Sequence, residues 1–140
     1  VTNTKAGTAY SRRIETNKFR MSGKTGTAQV RRITEAEREQ GVISNKDLPW
    51  QQRDHALFVD YAPADNPKVA VAVVVEHGGG GSSVAAPIGR DITLFALTGE
   101  LPNLKHYPTK FRREIQLEQE DIAPRLIDWT SPKVKERSKA

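Results

Sequence analysis

Hydrophobic positions cluster in the middle of the chain. HALFVDYAP (55–63) is rich in β-branched and aromatic residues and predicts a strand stopped by Pro63. ADNP (64–67) predicts a turn, because Asp and Asn bond their own backbone and Pro fixes φ. KVAVAVVVEH (68–77) is nearly continuous Val and Ala, the pattern of a strand buried on both faces. Two strands joined this tightly make an antiparallel hairpin.

The pattern then changes period. Gly78–Gly81 allow positive φ and a close backbone approach, and Ser82 or Ser83 can cap a helix. Val84, Ile88, Ile92 and Phe95 recur at helical spacing. With Gly99 as terminator, they predict a helix over 83–98 lying on the sheet through that stripe. Upstream, residues 20–31 alternate as a strand weakened by Gly23 and Gly26. ITEAEREQ (33–40), ended by Gly41, predicts one or two helical turns. Residues 1–19 and 41–53 lack a clear period and predict irregular structure. Pro102, Pro108, Pro124 and Pro132 punctuate a charged stretch over 100–140, which predicts an extended tail with a short helix at 111–121.

The expected class is α/β of the α+β kind: an antiparallel sheet of about three strands, a C-terminal helix packed on it, and the tail. Residues 1–99 form the domain part and 100–140 the tail. Three strands and one helix leave a sheet face uncovered, so self-association or a missing N-terminal half is expected.

Composition narrows the class. A chain of 140 residues, 36% hydrophobic and 28% charged, fits one domain with peripheral segments. The net charge of +5 is uneven, with residues 1–53 at +6, 54–99 at −3 and 100–140 at +2. Aromatics are few and no basic–aromatic repeat occurs, so a mixed solvated surface is expected rather than nucleic-acid binding. Zero cysteines exclude disulfides and thiolate chemistry. No apolar run reaches membrane-spanning length. The first residue is Val, which suggests a processed product or a piece of something longer.

The stretch MSGKTGTAQV (21–30) carries the chemistry. Gly23-Lys24-Thr25 mimics the end of a phosphate loop, but Lys18 stands where that loop needs its first Gly. A strand-prone sequence also follows where a helix should open. The other reading is Lys-Thr-Gly, a motif of serine acyltransferases that bind penicillin. On a strand, Thr25 and Thr27 share one face and Lys24 takes the other. Two hydroxyls two residues apart can meet one carboxylate, with Lys24 adding positive charge. Gly26 keeps the surface low for a peptide. The Thr27 N–H can stabilise an oxyanion.

With SGKTGTAQV (22–30), RDHALFVDYAPADNPKVAVAVVVEHGGGGSSVAAPI (53–88) and the following helix, the chain resembles the penicillin-binding transpeptidases of bacterial cell-wall synthesis. The Glu-His-Gly and multi-glycine run at 76–81 resembles their class B, elongation-type branch, the penicillin-binding protein 2 group. The resemblance covers about residues 7–98. It implies the C-terminal part of a transpeptidase domain that cross-links stem peptides and binds β-lactams. Lys24 would act electrostatically toward the middle motif and the substrate carboxylate. Thr25, Gly26 and Thr27 would hold a D-alanyl-D-alanine terminus. The Thr27 N–H would form half of the oxyanion hole. The resemblance further implies elongation-complex partners and the periplasmic face of the inner membrane, with the anchor outside this chain.

No serine of this sequence has Lys three residues on, and no Ser-x-Asn occurs, so the chain is expected not to acylate alone. The alternative is a non-catalytic carboxylate- or peptide-binding module of the same fold. No cofactor is expected. The three histidines lack metal-ligand spacing. His55 after Asp54 reads as a satisfied histidine at a strand start, His77 as a turn residue at the groove rim, and Glu76 as a partner for Arg90.

Overall fold

The structure is a computed structural model and describes residues 1–126. Three antiparallel strands form one sheet in the order β1 (Ser22–Ala28), β2 (His55–Ala62), β3 (Val69–Val75). The hairpin of β2 and β3 falls where the two β-branched runs and the Asp-Asn-Pro turn put it. Thr25 lies opposite Phe58, and Phe58 opposite Val73. The expected class, an antiparallel α+β arrangement of three strands and a covering helix, is the one observed.

The two faces of the sheet differ. Ala56, Phe58 and Ala62 of β2 and Val73 of β3 are buried. The alternate positions Val59, Tyr61 and Val74 are exposed, at 52%, 43% and 64%. β3 is therefore not buried on both faces. Its Ala70, Ala72 and Val74 look outward because no described element covers that side. The uncovered sheet face expected from the element count is present.

Helix α1 (Glu35–Gln40) is short, and its ends explain its existence. Thr34 Oγ1 accepts from the Glu37 N–H at 3.3 Å, and the Glu37 carboxylate accepts from the Thr34 N–H at 3.0 Å. That is a capping box, satisfying two otherwise unpaired donors. Gly41 ends the helix at φ +107, where a side chain would be strained.

Helix α2 (Ala86–Thr98) follows a π-helical turn at Gly81–Ala85 and stops at Gly99 in the left-handed conformation. It lies on the sheet as expected, but on a different face. Ala86, Gly89, Arg90, Thr93 and Leu94 point inward. Ile88, Ile92 and Phe95 of the predicted stripe are exposed. Close approach decides the orientation. A Cβ on Gly89 would sit 2.6 Å from Phe58 Cδ1, so the helix seats on its small residues around that ring. Neither Ser82 nor Ser83 caps the helix. The Ser83 hydroxyl instead donates to the Gly80 carbonyl at 3.2 Å.

The segment after Gly99 is not extended throughout. Short 3₁₀ turns at Leu104–His106 and Thr109–Phe111 lead into α3 (Arg112–Ile122), at the predicted place. Tyr107 and Ile115 join the same buried cluster as Phe58, Met21 and Leu94. Isolated apolar residues in a charged stretch thus dock on the domain part. Residues 127–140 of the tail expected over 100–140 lie outside the described residues. Arg90 does not meet Glu76. Its guanidinium bonds Asp91 at 2.8 Å and lies 4.6 Å from the Tyr107 ring centre, while Glu76 is exposed.

Asp60 is the buried carboxyl of the core. It accepts from the Thr93 hydroxyl at 2.7 Å, while its Oδ2 has no protein partner. Burial pushes its pKa up to about 6, against the lowering effect of the Thr93 bond.

Candidate functional site

Strand β1 forms one edge of the sheet among the described residues. Its Lys24 lies opposite Val59 and points to the uncovered face, where its side chain is exposed. Thr25 and Thr27 point to the helix-covered face. The strand therefore separates the charge from the hydroxyls as alternation requires. It also places Gly23-Lys24-Thr25 inside a strand, not at a helix start, which removes the phosphate-loop reading.

Three contacts organise the motif. The Lys24 Nζ donates to the Thr25 carbonyl at 2.8 Å, so the ammonium is held against its own strand. The Thr25 hydroxyl lies 2.9 Å from the hydroxyl of Thr8. Gly81 packs against the backbone of Gly26 and the carbonyl of Leu57, leaving no room for a Cβ. The glycine-rich turn after β3 thus ends directly beneath the middle of the Lys-Thr-Gly strand. A shallow depression of about 350 Å³ lies on the Lys24 side, lined by Ser22, Lys24, Val59, Tyr61 and Ala70 among others.

His55 and His77 sit at the far end of β1. The His77 N–H donates to His55 Nδ1 at 2.9 Å, which fixes the proton of a neutral His55 on Nε2. His77, at φ +54, approaches the Arg53 carbonyl through Nδ1 at 2.9 Å and packs edge-on against Trp50. Asp54 does not orient His55. Its carboxylate accepts from Asn45 Nδ2 at 3.0 Å and from the Val30 N–H at 3.3 Å. Both histidines are structural in this arrangement, as the sequence suggested. No cluster of three or more metal-ligating side chains occurs among the described residues. None of their helices is long and apolar enough to cross a membrane.

Sequence reasoning missed Thr8. It lies in an aperiodic segment, and only the fold brings it 17 residues along the chain to Thr25. The motif string itself was the signal for Lys24, Thr25, Gly26 and Thr27, and the structure brings these onto one exposed edge.

An ammonium, two hydroxyls and a low glycine surface thus lie together on one edge strand. The profile of the penicillin binding protein transpeptidase domain matches residues 1–94, and the chain belongs to that family. It is 39% identical over 124 residues to the peptidoglycan D,D-transpeptidase MrdA of Haemophilus influenzae, covering 87% of this chain and 18% of that protein. Against MrdA of Acinetobacter baumannii it is 42% identical over 80 residues, covering 55% of the chain and 11% of the relative. Among solved structures, Pseudomonas aeruginosa PBP2 in complex with WCK 5153 is similar at 33% identity with a TM-score of 0.47, covering 79% of this chain and 19% of that one. PBP2 of Helicobacter pylori, solved in a complex with MreC, is similar at 32% identity with a TM-score of 0.48, covering 70% and 16%. The chain thus spans about a fifth or less of the length of these relatives. The resemblance to the penicillin-binding protein 2 branch is borne out by the relatives' names.

Proposed function

We propose that this chain carries the substrate-binding wall of a peptidoglycan D,D-transpeptidase that cross-links stem peptides during cell-wall elongation. The observation behind this reading is Lys24-Thr25-Gly26-Thr27 on an exposed edge strand of a chain in the transpeptidase family. An extended stem peptide lies along β1. Thr25 and Thr27 hold its terminal carboxylate, and Lys24 supplies the compensating charge. The Thr27 N–H stabilises the oxyanion formed when a serine attacks the penultimate carbonyl. The bond to the last D-alanine breaks, the acyl group passes to the serine, and an amine of a neighbouring strand then takes it.

The serine and its lysine come from residues outside this sequence, since no S-x-x-K is present. The chain alone is inactive. The N-terminal remainder of the domain covers the Lys24 face of the sheet. The complete enzyme works at the periplasmic face of the inner membrane with proteins of the elongation complex, and β-lactams occupy the stem-peptide site. The second reading, a carboxylate-binding module without catalysis, rests on that same missing motif.

Intact-mass measurement after incubation with benzylpenicillin separates the readings. The chain alone should show no adduct. The complete polypeptide that carries it should show one, formed at least about tenfold more slowly after Thr25→Val. A complete polypeptide that never acylates would leave the binding module as the function.

A further inference from the structure

We propose that Thr8 is a positioning residue that aims the Thr25 hydroxyl at the substrate carboxylate. This rests on the transpeptidase reading of Thr25.

The two hydroxyl oxygens lie 2.9 Å apart, so one donates to the other. A hydroxyl has a single proton to give. If Thr25 gives its proton to Thr8, it has none for a carboxylate. If Thr8 gives its proton to Thr25, the Thr25 proton is directed outward and its bond to an anion is strengthened. A bound carboxylate selects the second arrangement, giving the chain Thr8 to Thr25 to carboxylate.

The backbone around Thr8 is built to hold it there. The Thr2 hydroxyl and the Asn3 amide both donate to the Met21 carbonyl, at 3.0 and 2.9 Å, tying the segment to the residue before β1. The Gly7 N–H donates to the Thr4 carbonyl at 2.7 Å, and the Tyr10 N–H to the Gly7 carbonyl at 3.0 Å. Ala9 beside it is fully buried. Thr8 itself is exposed, so its hydroxyl contributes nothing to the core and remains beside the edge where a ligand lies.

The test uses the complete polypeptide that carries this segment, with benzylpenicillin and its methyl ester as probes. The readout is the ratio of their second-order acylation rate constants. Thr8→Val should lower the acid rate about fivefold and leave the ester rate nearly unchanged, as for loss of one neutral hydrogen bond that supports the Thr25–carboxylate bond. Thr8→Ser should stay within about twofold of the parent. Thr25→Val should lower the ratio at least as far, and Thr8→Val added to it should lower it no further. An unchanged ratio in Thr8→Val beside a lowered one in Thr25→Val overturns the role of Thr8 alone. An unchanged ratio in Thr25→Val overturns the carboxylate reading beneath it. Equal losses on acid and ester in Thr8→Val reduce Thr8 to a structural contact and also overturn the proposal.

Discussion

Gly89→Ala tests how α2 sits on the sheet. In an isolated helix this change is stabilising by about 1 kcal/mol, because Ala is the best helix former and Gly among the worst. Here the added Cβ would lie 2.6 Å from Phe58 Cδ1 and 3.0 Å from Cε1. Ordinary carbon contacts are about 3.5–4.0 Å, so the ring or the helix must give by about 1 Å. The ring cannot retreat easily. Phe58 is fully buried, and a Cβ on Gly23 would already meet its Cζ at 2.6 Å. Overpacking of this kind costs about 1–3 kcal/mol. The steric cost outweighs the propensity gain, for a net loss of about 1 kcal/mol, up to about 2. Urea unfolding of the chain should show a midpoint lowered by about 0.5–1 M at an unchanged slope. In a Phe58→Leu background the same change should cost less, since the contacted ring atoms are gone. A midpoint that rises in Gly89→Ala would mean that α2 does not seat on its small residues. The exposed Ile88, Ile92 and Phe95 would then have to be its buried side.

Two further perturbations follow from the core. The Asp60 pKa is raised from 3.8 to about 6 in the folded state, so the native chain binds more protons than the unfolded one between those values. Stability is therefore highest below about pH 4 as far as this group is concerned, and falls as pH rises to about 6, by up to about 3 kcal/mol. Urea midpoints of Asp60→Asn should lose that slope, and an identical pH profile in the variant would refute it. Tyr107→Ala removes a ring that is 1% exposed, and should destabilise the chain by about 3–5 kcal/mol. A loss below about 1 kcal/mol in chemical denaturation would mean that the segment after Gly99 does not share the core.

The legible parts of the fold were those set by local periodicity or local bonding. The β-branched and aromatic run of 55–63, the Asp-Asn-Pro turn and the helix formers of 33–40 ended by Gly41 each act over a few residues, and each gives its element near the expected place. The Lys-Thr-Gly edge strand was legible because its function sits in a contiguous string. What remained hidden depends on contacts between distant segments. The side of α2 that faces inward is set by the size of Phe58, not by the most apolar stripe. The uncovered side of β3 has Ala and Val like the covered side, so its composition does not reveal which is packed. Tyr107 and Ile115 are single apolar residues among charges and show no period, yet they close the core. Thr8 meets Thr25 only through the path of an irregular segment.

The connection between β1 and β2 has a consequence for assembly. β2 and β3 are joined across residues 63–68, whereas β1 reaches β2 across residues 29–54. Loop-closure entropy grows only as the logarithm of length, so the longer span costs about 1.3 kcal/mol more than the shorter. Closing the hairpin first is therefore the less costly order, with the Lys-Thr-Gly strand joining the larger loop afterwards. Doubling the 29–54 span would cost only about 0.6 kcal/mol. That segment can thus gain or lose residues over evolutionary time while the register of Thr25 against Phe58 stays fixed.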